Sequence, residues 1–185
     1  MIRIFAVVAA LVCVAPVLAQ NLPAGVDPQN AILLDTKHGR IVIRLRPDLA
    51  PQHAERIKML SREGFYNNAP FHRVIGGFMA QTGDGARGDG TGKSKHPDLP
   101  AEFSSAPFAR GVVGMARSQN PNSANAQFFI MFAPATHLNG QYTVVGEVVS
   151  GMDAVDKLKK GPPEHNGAVT DPDRIVRMQI AAGAH

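Results

Sequence analysis

After residue 30 the chain alternates between apolar and polar positions with a period of two, and only twice does the period lengthen to that of a helix. Ile41, Ile43 and Leu45 alternate with Arg40, Val42 and Arg44, which predicts a half-buried antiparallel strand. Ile32 to Asp35 reads as its hairpin partner, because Lys37-His38-Gly39 between them supplies the glycine that a short turn favours. Further strands are predicted at Phe71 to Ile75 and Phe78 to Thr82, broken by Gly76-Gly77, and at Gly111 to Ala116, Gln127 to Phe132 and Ile175 to Ile180. In the first of these, alternation puts Phe71, Arg73 and Ile75 on one face and His72 and Val74 on the other. The first helix begins at Pro51, carries Ala54, Ile57 and Leu60 as its inward stripe, has Lys58 and Arg62 late, and stops at Gly64. The second is capped by Ser150 with Asp153 three residues on, turns Met152, Val155 and Leu158 inward, and is stopped by Gly161-Pro162-Pro163.

Seven or eight strands and two helices without strict strand-helix alternation fit a mainly β domain built on an antiparallel sheet. Closing that sheet into a barrel would remove its exposed edges, and the two helices could plug the open ends. Periodicity supports a β-rich chain with two helices but does not by itself establish closure.

The first nineteen residues follow other rules. Met1 to Ala19 has one charge, Arg3, an apolar run from Ile4 to Val14, and ends Val17-Leu18-Ala19. That order predicts a signal peptide cut after Ala19 and an exported, periplasmic protein. The run falls short of the roughly 20 residues that span a bilayer, so no stable membrane insertion is expected. Cys13 is the only cysteine, so the processed chain would have no disulfide, thiol nucleophile or zinc-cysteine site. Residues 20–29, with Pro23, Gly25 and Pro28, read as a flexible lead-in, and 30–182 as one domain. The net charge of +4 is spread rather than clustered, which gives nucleic-acid binding no support.

Candidate chemistry concentrates in Phe71-His72-Arg73-Val74-Ile75-Gly76-Gly77-Phe78-Met79-Ala80-Gln81-Thr82-Gly83-Asp84. Phe78 and Met79 offer apolar bulk beside the planar cation of Arg73 and the amide of Gln81, the mixture a ligand pocket needs. No acid-base pair, nucleophile or metal cluster accompanies them, so chemistry that breaks no covalent bond is expected, with neither metal nor cofactor. His72 has no spaced ligand partner and reads as a structural histidine. The glycine-rich run 83–92 lacks the spacing of a phosphate loop and the closing acid of a calcium loop, which leaves a surface loop with positive backbone angles. A hydrolase is disfavoured by the absence of a Gly-x-Ser-x-Gly elbow.

The run 71–84 closely resembles the signature of the cyclophilins, which are peptidyl-prolyl cis-trans isomerases. Gly76 stands where the family usually has proline. Gly111 to Ala116, Asn125 to Ile130 and Leu138 to Gly146 resemble three further family signatures, and the likeness extends from about Asn30 to Ala182. It implies a closed eight-stranded antiparallel barrel capped by two helices. It also implies Arg73 and Gln81 as the catalytic pair, with Gln81 orienting the arginine and contacting substrate backbone. Phe78, Met79, Phe129 and Leu138 match the proline pocket, and Ala116 and Arg117 match the strand end that pairs with the peptide. Gln127, His137 and Tyr142 complete the implied substrate-binding set. Arg117 replaces a frequent asparagine, Tyr142 a frequent histidine, and His137 a frequent tryptophan or phenylalanine. The expected partners are proline-containing segments of unfolded or partly folded exported proteins, met by a monomer. A non-catalytic proline-peptide binding module on the same fold is the competing reading, and retention of Arg73 favours the enzyme.

Overall fold

The structure, a computed structural model of the chain, describes residues 22–184; the expected signal peptide lies outside them. Eight strands follow in chain order: β1 (Ala31–Thr36), β2 (Gly39–Leu45), β3 (Arg73–Ile75), β4 (Met79–Thr82), β5 (Val112–Met115), β6 (Phe128–Met131), β7 (Val144–Ser150) and β8 (Arg177–Ile180). They form one antiparallel sheet in the order β3-β4-β6-β5-β7-β2-β1-β8. The first hairpin turns in two residues, since Thr36 pairs with Gly39 across Lys37 and His38. The Thr36 hydroxyl seals it by donating to the Gly39 carbonyl and accepting from the His38 N–H.

The sheet is open, which corrects the closed barrel. No ladder joins β3 to β8. Separate hydrogen bonds lace the gap instead: the N–H groups of Phe71 and Val74 donate to the carbonyls of Asp173 and Gly167, and those of Ile175 and Val169 to Ala69 and His72. Pro70 has no N–H to give, and Asn68, Asn166 and Asp171 take positive φ angles of 64°, 53° and 50°, so neither segment can run straight enough for a ladder. The same irregularity corrects the facing of Phe71. It precedes β3 and is buried in the main core with Val74 rather than sharing a face with Arg73.

The main core fills the concave side of the sheet with Ile32, Leu34, Ile41, Ile43, Val113, Phe128 and Ile130 among others. Helix α1 (Pro51–Arg62) buries Ala54, Ile57 and Leu60 against it and packs on β7 and β8. Its cap residue Ala50 offers no side-chain acceptor. The Glu102 carboxylate takes that role from far along the chain, accepting the N–H groups of Gln52 and His53 at 3.2 and 3.1 Å. Helix α2 (Met152–Asp156) packs on β2, and its cap is Gly151, not Ser150. Gly151 has φ 88°, and a Cβ there would collide with the Arg40 carbonyl, so the position is closed to other residues.

Asp173 ties three segments together. Its carboxylate meets the Lys37 ammonium at 2.6 Å, His38 Nε2 at 3.1 Å and the Lys159 N–H at 2.8 Å. Burial works to raise its pKa, but these donors outweigh burial and hold it down at about 2. The unfolded carboxyl titrates near about 3.9. The stability it contributes, about 2 kcal/mol, is therefore complete above roughly pH 4 and lost as pH falls toward 2. Denaturant melts of the wild type and Asp173→Asn are expected to differ near neutrality and converge at about pH 2; a gap persisting there would exclude this titration as its source.

Candidate active site

The site lies on the face of β3-β4-β6-β5 that points away from the main core. Along β4, Ala80 enters the main core while Met79 enters a second apolar cluster; along β6, Phe128 and Ile130 go one way, Phe129 and Met131 the other. Register then lines up one row across four strands: Arg73 opposite Gln81, Gln81 opposite Phe129, and Phe129 opposite Gly114. Gly114 ends the row, and its lack of a side chain makes room for two rings. A Cβ there would stand 2.5 and 2.6 Å from the rings of Phe129 and Phe108, which stack on each other with centroids 5.8 Å apart.

A cavity of about 330 Å³ opens on this row. Phe78, Met79, Phe129 and Leu138 form its apolar side, and Arg73 and Gln81 stand together at its edge. Ala116, Arg117, His137 and Tyr142 also line it. His137 stacks on Phe78 at 5.8 Å, and Tyr142 meets Phe129 edge-on at 5.7 Å. These ten expected residues are thus brought together from three strands, the β3–β4 turn, the segment just past β5 and the segment before β7. Gln127, the eleventh, lines an adjoining cavity of about 280 Å³ rather than this one.

Three of the five N–H groups of Arg73 are held. Nε donates to the Asn166 carbonyl at 3.0 Å, one terminal nitrogen to Asn166 Oδ1 at 2.9 Å and the other to Gln81 Oε1 at 3.3 Å. One N–H remains on each terminal nitrogen. Burial lowers the pKa of the guanidinium, which nonetheless stays charged at any physiological pH. Gln81 passes the constraint on, donating to Gln127 Oε1 at 3.0 Å, and Gln127 donates to the carbonyls of Gly90 and Gly92, both at 2.9 Å. The chain of amides fixes which end of each side chain points where.

The glycine-rich loop that anchors this chain wraps the protein's own anion. Asp84, 1% exposed, accepts the N–H groups of Ala86 and Arg87 on one oxygen and of Gly90 and Gly92 on the other, at 2.8 to 3.1 Å. Burial works to raise its pKa, but the backbone donors, Arg87 foremost, hold it below the ordinary carboxylate value. Gly92 is required because any Cβ would overlap the Asp84 carboxylate.

Two features escape sequence reasoning. Asn166, which holds two nitrogens of Arg73, is 93 residues away in the chain; the Asn166-Gly167 pair is its only local mark, as a turn signal. The Arg117 side chain lies over the Tyr142 ring at 4.4 Å and donates from two nitrogens to the Gln141 carbonyl at 2.8 and 3.3 Å, clamping the 138–142 loop to the end of β5. Among the described residues no group of acidic, histidine or cysteine side chains could hold a metal ion, and no helix is long and apolar enough to cross a membrane.

Residues 31–180 match the family model described as cyclophilin type peptidyl-prolyl cis-trans isomerase. A probable peptidyl-prolyl cis-trans isomerase of Brucella suis is 59% identical over 174 residues, 89% of each chain. Peptidyl-prolyl cis-trans isomerase B of Escherichia coli is 43% identical over 136 residues, covering 69% of this chain and 83% of that one. Among solved structures, a cyclophilin of Hirschia baltica superposes with a TM-score of 0.78 at 27% identity, over 86% of this chain and 77% of its own. A cyclophilin type isomerase of Cryptosporidium parvum, crystallised in the presence of the dipeptide Ala-Pro, gives 0.74 at 28% identity, over 81% and 98%. Fold, family model and relatives agree on a peptidyl-prolyl isomerase. The chain belongs to the cyclophilin family, and its activity is cis-trans exchange at peptidyl-proline bonds.

Proposed function

We propose that this isomerase is exported and speeds Xaa-Pro rotation in other exported proteins, with Arg73 as the residue that lowers the barrier. The observation that carries the catalytic part is a guanidinium held by Asn166 and Gln81 at the edge of an apolar cavity, with two N–H groups still free. Amide resonance opposes the rotation with a barrier of about 20 kcal/mol. Unaided exchange takes tens to hundreds of seconds. A turnover of roughly 1 to 1000 per second asks for about 3 to 7 kcal/mol of transition-state stabilisation.

Arg73 can supply part of that. As the bond twists, the proline nitrogen becomes pyramidal and regains its lone pair, which a free Arg73 N–H can then meet. The planar ground state offers no such acceptor, so the interaction favours the twisted state alone. Lysine would serve less well, because a single ammonium has no rigid fork to be held on one side while donating on the other. Gln81 acts as the positioning residue, and Gln127 does the same one step back. The proline ring sits among Phe78, Met79, Phe129 and Leu138, while Ala116 and Arg117 border the peptide backbone. His137 extends the pocket wall through its stack on Phe78. The Tyr142 hydroxyl, which has no hydrogen bond to the described residues, is available to the carbonyl before proline. The groove is complete within one chain, in keeping with action as a monomer.

A protease-coupled or exchange-NMR assay on a short Xaa-Pro peptide tests the catalytic reading, and no acceleration by the folded protein would remove it. Export rests on the order of residues from Met1 to Ala19. Mass spectrometry of the protein from its native cell is expected to find Gln20 at or near the amino terminus. A main species that keeps Met1 and stays in the cytoplasm would overturn the localisation.

A further inference from the structure

The proline cavity and the second cavity beside it share Gln81, Ala116 and Arg117 in their walls. Together the two linings contain three cations, Arg73, Lys93 and Arg117, and no carboxylate. The three are not equivalent. Lys93 is paired with Asp98 at 2.6 Å. Arg73 is committed to Asn166, Gln81 and the bond being rotated. Arg117 has no ion-pair partner among the described residues, and its contacts are all to neutral carbonyls, those of Ser118, Gln119 and Gln141. Those contacts, with the ring of Tyr142 beneath it, hold the guanidinium in place at the boundary of the two cavities. Four donated bonds from five N–H groups leave one on a terminal nitrogen. The second cavity adds the hydroxyls of Thr91, Ser118 and Ser123, but they already donate to Asp89, Ser123 and Asn120, so the donors left for a carboxylate are the cations.

From this geometry we infer that the groove prefers proline peptides carrying an aspartate or glutamate on the flank that crosses the second cavity, and that Arg117 is the residue that selects them. The inference rests on the isomerase reading and refines its substrate class. A fixed cation with uncompensated charge favours an approaching carboxylate through space and offers it one hydrogen bond. An extended peptide advances about 3.3 to 3.6 Å per residue, so an acidic side chain two or three positions from the proline spans the shared wall. The site is open to solvent, and the preference is set by the scale of exposed ion pairs, about two- to fivefold in rate.

The test is a set of short peptides with one proline, in which glutamate, glutamine or lysine is placed in turn at each of the three positions on either side. Exchange NMR at low salt is expected to give kcat/KM in the order glutamate, glutamine, lysine at one or two positions of a single flank. The first two should differ by about two- to fivefold. The spread should shrink at about 0.5 M salt, where charges several ångströms apart are screened. Arg117→Gln should level the series and Arg117→Glu should invert it, each read as a ratio within one variant so that a change in overall rate does not matter. Equal rates across the wild-type series would overturn this inference while leaving the isomerase intact. Failure to accelerate any peptide would remove both.

Discussion

Arg73→Ala is expected to lower kcat/KM for a short Xaa-Pro peptide by about tenfold to a hundredfold, the scale of one charge-assisted hydrogen bond of roughly 1.5 to 3 kcal/mol. The loss should fall on kcat more than on KM, because the contact forms only as the bond twists. Stability should change little. Arg73 is partly exposed, its bonds go to a neutral carbonyl and two amides, and water can replace it at each of them. Arg73→Lys should retain only a fraction of the activity. A folded alanine variant with near-normal kcat/KM would show that the barrier is lowered by the pocket alone.

The largest loss of stability is expected at Asp84. Alanine there removes the acceptor of four backbone N–H groups at once. Each donor left unpaired costs about 1 to 3 kcal/mol. The loop will open to hydrate most of them, so the net loss should be about 3 kcal/mol. For a domain of this size that lowers Tm by roughly 6 to 12 °C. Activity should fall as well, since Gly90 and Gly92 hold Gln127, Gln127 holds Gln81, and Gln81 holds Arg73. Asp84→Asn, which keeps one oxygen, should lie between. An alanine variant that melts with the wild type would show that the loop is held by something other than this carboxylate.

Asp84 also shows where local sequence stops being informative. Glycines spaced along 83–92 signal a loop with positive backbone angles, and Gly83, Gly88 and Gly90 have them. What the spacing could not disclose is the anion at the centre, because an aspartate at the mouth of a loop looks the same whether it points inward or out. The β-strands were legible because their period of two survives in Ile41-Ile43-Leu45 and in Met79-Gln81. Phe71 was misplaced because alternation applies only where the backbone is paired, and pairing begins at Arg73. The sheet stays open because Pro70 lacks an N–H and Asn68, Asn166 and Asp171 take positive angles, which break a ladder that no periodicity would exclude.

The site divides in the same way. Ten of the eleven expected residues gather at one cavity; eight of them lie in runs that resemble the family, and Arg117 and His137 directly adjoin such runs. Asn166 and the Arg117 clamp had no such mark, for both depend on loops that meet only after folding. Gly151 rather than Ser150 caps α2 for a similar reason: the nearness of the Arg40 carbonyl is a tertiary fact.

The two faces of β4 carry different duties one residue apart, with Met79 and Gln81 on the groove and Ala80 and Thr82 turned inward. Substitutions can therefore retune the groove without entering the core, so specificity is free to drift. Insertions have no such freedom. One extra residue between Gly77 and Met79 would hand the inward slots to methionine and glutamine and the groove to alanine and threonine. It would strand an amide in the core and strip Arg73 of one of its two partners in a single step. Among relatives of this enzyme, length should be held far more rigidly than composition across this strand.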